Sequence, residues 1–296
     1  MGSRSDQFLS YLQQEKRYSP HTLTAYENDL KQFSDYISDQ YGLDNLLEVD
    51  AALLRSWFAL LMSDGYSRGS INRKMSSLKS FYKYHLKNGD IVMNPMDRLR
   101  SVKKERKLPV FVHEDKLSEL FDKQDFKQDF PGLRDLLMLE LLYTTGIRLS
   151  ELLNLRHADV DTGGNTIRVT GKRDKQRMIP LLEHVKQTYL RYCMEKEKHF
   201  GAEVSGEVLV TGKGKKPYPG FVYRRVIFYL RKVTTRSKKS PHVLRHSFAT
   251  HMLDHGADLN AIKEILGHAS LAATQVYTHN TIEKIKSIYK QAHPKA

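Results

Sequence analysis

The sequence predicts a mainly α protein with a small antiparallel β-sheet in its larger C-terminal part, an α+β arrangement. Three observations carry this. The first hundred residues repeat apolar side chains at helical spacing, a basic and apolar-poor stretch interrupts them at Arg100 to Pro109, and a strand–turn–strand pattern near Thr166 to Ile179 follows among further helices. The expected organisation is an N-terminal helical bundle over 1–99, a linker over 100–109 and a C-terminal domain over 110–296, with a tail helix from about residue 282.

Each element has its own signal. A short helix is expected around Phe8 to Leu12. Ser19 followed by Pro20 is a capping residue before a proline at the first helical position. Leu23, Tyr26, Leu30, Phe33 and Ile37 then line one face until Gly42 stops the run. Asp50 opens a helix carrying Leu53, Leu54, Trp57, Phe58 and Leu61, and another runs from about Ser70 through Met75, Leu78, Phe81, Tyr82 and Leu86 to Gly89. Together these make a small bundle. Asn94 and Pro95 end the pattern. The segment RSVKKERKLP reads as an extended interdomain strap. Beyond it, Leu133 to Tyr143 is apolar enough to be a core helix; Thr166 to Thr170 alternates like a strand, Gly171 to Gln176 turns, and Arg177 to Ile179 returns. Val208 to Val210 is expected to be a third strand, and Ile282, Ile285, Ile288 and Tyr289 form an apolar stripe in the tail.

Composition narrows the partners. Lys and Arg number 48 against 34 Asp and Glu, a net charge of +14 in 296 residues. Such a surplus favours a polyanion, because each neutralised phosphate releases a condensed counterion. Its distribution is more informative: no Asp or Glu occurs between Glu207 and Asp254, while eleven Lys and Arg do, with Tyr218, Phe221, Tyr223, Phe228 and Tyr229 among them. Solvated faces mix signs, so this interval reads as a nucleic-acid surface. Cys193 is the single cysteine, which excludes an intrachain disulfide and a cysteine-based zinc site. Met1 to Ser10 holds no apolar run, and no stretch approaches a membrane span, so a cytoplasmic, nucleoid-associated protein without membrane contact is expected.

Four separated segments carry candidate chemistry. TGIRLSEL places Arg148 at a junction of helices, with Glu151 able to hold it; alone, this segment reads as an ordinary structural Arg–Glu pair. The Gly171–Lys172 turn presents an ammonium at a hairpin tip. Ser240 and Pro241 start a helix in which His242 and Arg245, three apart, share a face. Leu266–Gly267–His268 suits a helix end, and Tyr277 follows nine residues after His268. The pairs His242/His246 and His251/His255 have a spacing that can hold a metal, but no Glu accompanies them as in a zincin.

These segments resemble, in order and wording, the catalytic motifs of the tyrosine recombinases of the phage-integrase family, most closely the Xer group. TGIRLSEL resembles the first arginine box, GKRDKQRMIPL the strand–turn–strand lysine, SPHVLRHSFATHML the His-x-x-Arg helix, and LGHASLAATQVYTH the Leu-Gly-His box with its nucleophile. The N-terminal bundle and linker resemble the family's DNA-binding arm, so the likeness covers nearly the whole chain. It implies a catalytic set of Arg148, Lys172, His242, Arg245, His268 and Tyr277, with no cofactor and no metal.

The implied chemistry explains those residue types. In-line attack on a phosphodiester spreads charge over a five-coordinate phosphorus, which Arg148, Arg245 and His268 would surround with fixed donors. Tyr277 is the implied nucleophile, forming a 3′-phosphotyrosyl intermediate; His242 would take part in proton transfer, and Lys172 would protonate the leaving 5′ oxygen. Resealing by another strand's 5′ hydroxyl passes through a Holliday junction. The resemblance further implies a double-stranded recombination site, and the charged, apolar-poor boundary between two independently patterned halves predicts that the two domains clamp opposite faces of the duplex. It also implies a homotetramer, or a heterotetramer with a sister recombinase, on two duplexes, the tail docking on a neighbouring protomer, and a septal DNA translocase as a further partner. The residues of the tail alone leave open that it folds back on its own domain. Chromosome or plasmid dimer resolution is the role expected. Integration of a mobile element stays open as an alternative; a type IB topoisomerase and an inactive DNA-binding protein fit less well.

Overall fold

A computed structural model of the chain describes residues 3–103, 110–123, 126–171, 174–201, 206–235, 238–267 and 279–295. The chain divides into two compact units, Met1–Lys107 and Leu108–Ala296.

The first unit contains α1 (Ser3–Gln14), α2 (Pro20–Tyr41), α3 (Ala51–Ser63) and α4 (Arg68–Lys87). Their ends follow from local chemistry. Ser19 Oγ accepts from Thr22 N before α2, Gly42 closes that helix at φ 65°, and Asp50 Oδ1 accepts from Ala52 N and Leu53 N before α3. α4 starts at the Ser67 cap, two residues earlier than its apolar pattern predicts. Phe8, Leu30, Phe33, Trp57, Leu78 and Phe81 are buried together. Beneath them Asp29 is fully buried, and Lys74 Nζ donates to it over 2.9 Å. The expected strap begins otherwise than its composition implies. Asn72 Nδ2 donates to Val102 O and Val102 N returns a bond to Asn72 Oδ1, both 2.8 Å, while Arg68 Nη1 reaches Lys103 O. Residues 100–103 therefore belong to the bundle, because α4 satisfies their backbone; residues 104–109 lie outside the described residues.

The second unit begins with α5 (Glu114–Ser118), then α6 (Phe130–Thr144) and α7 (Leu149–Asn154). α6 is capped by Asp129 and buried on every face, so its charged residues need internal partners. Arg134 Nε and Nη2 donate to Asp135 Oδ1 at 3.0 and 2.9 Å, and Arg225 also pairs with Asp135. The sheet is antiparallel, in the order β1 (Val160–Asp161), β2 (Thr166–Thr170) and β3 (Gln176–Pro180). Ile167 pairs with Ile179 and Val169 with Arg177, which puts alternate residues into the core. Helices α8 (Glu183–Phe200), α9 (Pro219–Val233), α10 (Pro241–Asp254), α11 (Leu259–Leu266) and α12 (His279–Ala292) complete the unit.

One sequence expectation is corrected here. Val208 to Val210 are buried but form no strand. Val208 N donates to Leu155 O and Val210 N to the Tyr192 hydroxyl, so these backbone donors are satisfied without a ladder. The third strand is instead the two-residue β1. In the tail, α12 packs against α10, α11 and β3 of its own unit. Tyr289 is 1% exposed and its hydroxyl donates to Thr144 O. Within this chain the stripe is covered at Tyr289, while the side chains of Ile282 and Ile285 lie outside the described residues.

Candidate active site

α6 ends at Thr144 and the chain reverses at once into α7. Gly146, at φ +58°, makes the reversal possible, and a Cβ there would lie 2.6 Å from Phe248 and 2.8 Å from Leu266. Pressed between α10 and α11, this turn delivers Arg148 immediately before α7. Arg148 N donates to Glu151 Oε2 (2.7 Å), Nη1 to Oε1 (2.9 Å) and Nη2 to Gly267 O (2.8 Å). Its side chain remains 36% exposed.

Arg245 lies one turn beyond His242 on α10. Its Nη1 donates to Gly146 O, and its Nη2 donates to Leu266 O over 2.7 Å. A third arginine completes the group. Arg177 on β3 is buried; Nε donates to Ile265 O (2.6 Å), and Nη1 and Nη2 grip Glu151 Oε1 and Oε2 (2.8 Å each). Three guanidinium groups therefore donate to the successive carbonyls of Ile265, Leu266 and Gly267. Carbonyls at a helix end lack intrahelical partners and carry the negative pole of the helix. Gly267 turns the chain out of α11 at φ +63°.

The electrostatics follow from this crowding. Burial would raise the Glu151 carboxyl, but the bonds and charge of Arg177, with those of Arg148, outweigh it and hold the pKa at about 2. Burial, then the charges of Arg148 and Arg177, draw Arg245 down to about 10, so it stays cationic at neutral pH. Fixed, ionised donors held this way suit an anion such as a phosphate oxygen, which a guanidinium meets with a planar fork.

Of the six residues that the sequence singles out, Arg148 and Arg245 meet at the end of α11, and His242 is exposed in the first turn of α10. Lys172, His268 and Tyr277 lie outside the described residues. Sequence reasoning missed Arg177. It recognised Glu151 only as a holder of Arg148, whereas that carboxylate serves two arginines.

Among the described residues no three His, Cys, Asp or Glu side chains converge as metal ligands. His251 Nδ1 instead bonds the Tyr143 hydroxyl at 3.0 Å, and an acid from far along the chain, Glu114, sits 3.2 Å from His255. The basic interval is also less one-signed in space than in sequence. Arg225 is committed to Asp135 of α6, and Lys216 donates to Asn154 Oδ1. Arg224 covers the Tyr218 ring and Lys232 the Phe228 ring, leaving both aromatics about half exposed. No helix among the described residues is long and apolar enough to cross a membrane.

Comparison with known proteins places this geometry in context. Residues 111–284 match the profile described as Phage integrase family, and residues 5–89 match the N-terminal SAM-like domain of phage integrases. The chain is 39% identical to tyrosine recombinase XerC of Chlorobaculum parvum, over 98% of this chain and 94% of the relative. It is likewise 39% identical to XerC of Staphylococcus saprophyticus, over 98% and 96%. Among solved structures it resembles the XerH site-specific recombinase bound to a palindromic difH substrate, with a TM-score of 0.72 and 22% identity over 96% of this chain and 83% of that one. It also resembles the Tn1549 transposon integrase in complex with transposon right-end DNA, with a TM-score of 0.71 and 19% identity over 97% and 99%.

Proposed function

The chain belongs to the phage integrase family, the tyrosine recombinases, and from that premise we propose that it exchanges DNA strands at a specific site, in the manner of Xer dimer resolution, with Tyr277 as nucleophile. The observation that carries the proposal is the meeting of Arg148 and Arg245 on adjacent carbonyls at the end of α11, one residue before His268. Two permanently charged forks aimed at one place are matched to the nonbridging oxygens of a phosphodiester. Tyr277 attacks the phosphorus, its proton leaves with help from His242, and Lys172 protonates the departing 5′ oxygen. The 3′-phosphotyrosyl ester retains the bond energy, so a second strand's 5′ hydroxyl reseals the DNA through a Holliday junction without ATP or metal. Assembly as a tetramer on two duplexes, alone or with a sister recombinase, and control by a septal DNA translocase complete the proposal. The near full-length likeness to XerC relatives supports the housekeeping role over integration of a mobile element.

The test is to recover DNA covalently linked to the protein in cells and to sequence its 3′ ends. One chromosomal or plasmid site is expected; recovery of the ends of an element supports integration instead. Tyr277→Phe binds DNA but yields no adduct, and adduct formation by the intact chain persists in EDTA. An adduct that survives in Tyr277→Phe, or that a chelator abolishes, removes this mechanism.

A further inference from the structure

We propose that Arg177 is a positioning residue for strand cleavage, acting through Glu151 and the end of α11 to align Arg148, Arg245 and the Lys172 hairpin; this rests on the recombinase reading above. Arg177 is 5% exposed, with Nε on Ile265 O and both terminal nitrogens on Glu151, so it is a bridge within the protein rather than a contact to DNA. What it bridges makes it more than a core ion pair. Glu151 fixes Arg148 through both its backbone N–H and its Nη1. The Arg177 guanidinium lies against Gly267, where a Cβ would come within 3.1 Å of Nη1, and Gly267 O accepts from Arg148. Glu151 Oε1 would stand 3.5 Å from a Cβ on Gly171, the residue before Lys172, and Gly171 N closes the hairpin on Lys175 O at 2.8 Å. One side chain thus ties together β3, α7 and α11: Arg148 stands immediately before α7, Gly267 ends α11, and β3 follows the hairpin that Gly171 N closes.

Electrostatics give the arrangement a signature. Among the described residues, the charged groups facing Glu151 are Arg148 of its own turn, Arg177 of β3 and Arg245 of α10. Remove Arg177, and burial is no longer outweighed as before, so the Glu151 pKa rises. Its ionised form still holds Arg148, whereas its protonated form does not. Cleavage then acquires an acid limb, lost as pH falls through the raised pKa and recovered above it.

The experiment measures single-turnover cleavage of a nicked duplex carrying the recovered recombination site, between about pH 6 and pH 9. It compares the full-length chain with Arg177→Met, Arg177→Lys, and Arg177→Met combined with Glu151→Gln. Arg177→Met is expected to bind this duplex with affinity little changed. Its cleavage falls by about a hundredfold at neutral pH, the scale set by an ångström of misplacement, and partly recovers at high pH. The double variant cleaves slowly without the acid limb, because no carboxyl remains to titrate. Arg177→Lys, whose single ammonium cannot reach all three acceptors, falls by about tenfold and decides the matter if Arg177→Met does not fold. A folded Arg177→Met, or failing that Arg177→Lys, that cleaves at the intact chain's rate overturns the proposal, as does a double variant that keeps the acid limb. If the intact chain itself gives no adduct, the recombinase reading fails first, independently of Arg177.

Discussion

At the scale of single residues, the site is built from side chains that answer one another's charge. Arg148, Arg177 and Arg245 would repel without Glu151 and the α11 carbonyls between them. The Glu151 carboxyl is held near 2, below its unfolded value, so its stabilising contribution is fully present above the unfolded pKa and is lost as pH falls toward 2. Glu151→Gln should therefore lower stability at neutral pH by about 3–5 kcal/mol, the loss typical of breaking a buried pair, with the gap to the intact chain closing in acid. Urea denaturation at several pH values checks this. Gly146→Ala combines a left-handed backbone with a Cβ 2.6 Å from Phe248, and should be destabilising by about 2–4 kcal/mol in the same assay. Arg148 and Arg245 were legible in the sequence because their motifs resemble a family and their spacing fits a helix junction and a helix face. Arg177 was not. Its partners lie 26 and 88 residues away, so nothing local distinguishes it from any charged residue on a strand.

At the scale of elements, the helices were legible wherever a cap and an apolar face coincide, as at Ser19 and Asp50. The short run Val208 to Val210 was misread because burial and strand pairing leave the same apolar trace. What covers the tail was not legible, because an amphipathic stripe says that a surface must be covered, not by what. In this chain Tyr289 and His293 fill the space beside Tyr143 and Phe248, with the Tyr289 and His293 rings stacked at 4.9 Å. Tyr289→Ala is accordingly expected to destabilise the C-terminal unit by about 3–5 kcal/mol, measured as a lower urea midpoint. His293 is drawn down to about 3 by burial, then by His184, His251, His255 and Lys295. Its contribution is present above the unfolded histidine pKa and lost as pH falls toward 3. The stability of the intact chain should therefore fall more steeply below about pH 6.5 than that of His293→Phe, which keeps a ring but cannot gain a proton. Equal slopes would show that His293 does not govern the acid sensitivity of the tail.

At the scale of the whole molecule, two units with separate cores divide the basic surface. Each phosphate neutralised adds to the salt dependence of binding, so a fragment ending at Lys103 should bind duplex DNA more weakly than the full chain. Its log–log salt slope should also be shallower; equal slopes in a titration from low to moderate salt would mean that the second unit adds no phosphate contacts. The convergence of three arginines on one helix end has a consequence for the chain while it is being made. Arg148 waits for a carbonyl 119 residues downstream, and Arg177 for one 88 residues downstream. Until α11 has left the ribosome and docked, Arg148 and Arg177 have only Glu151 of these partners, and Arg245 only the Gly146 carbonyl. A nascent chain therefore cannot present the finished arginine cluster. The ability to cut DNA waits until α11 has been made and has docked on the three guanidinium groups.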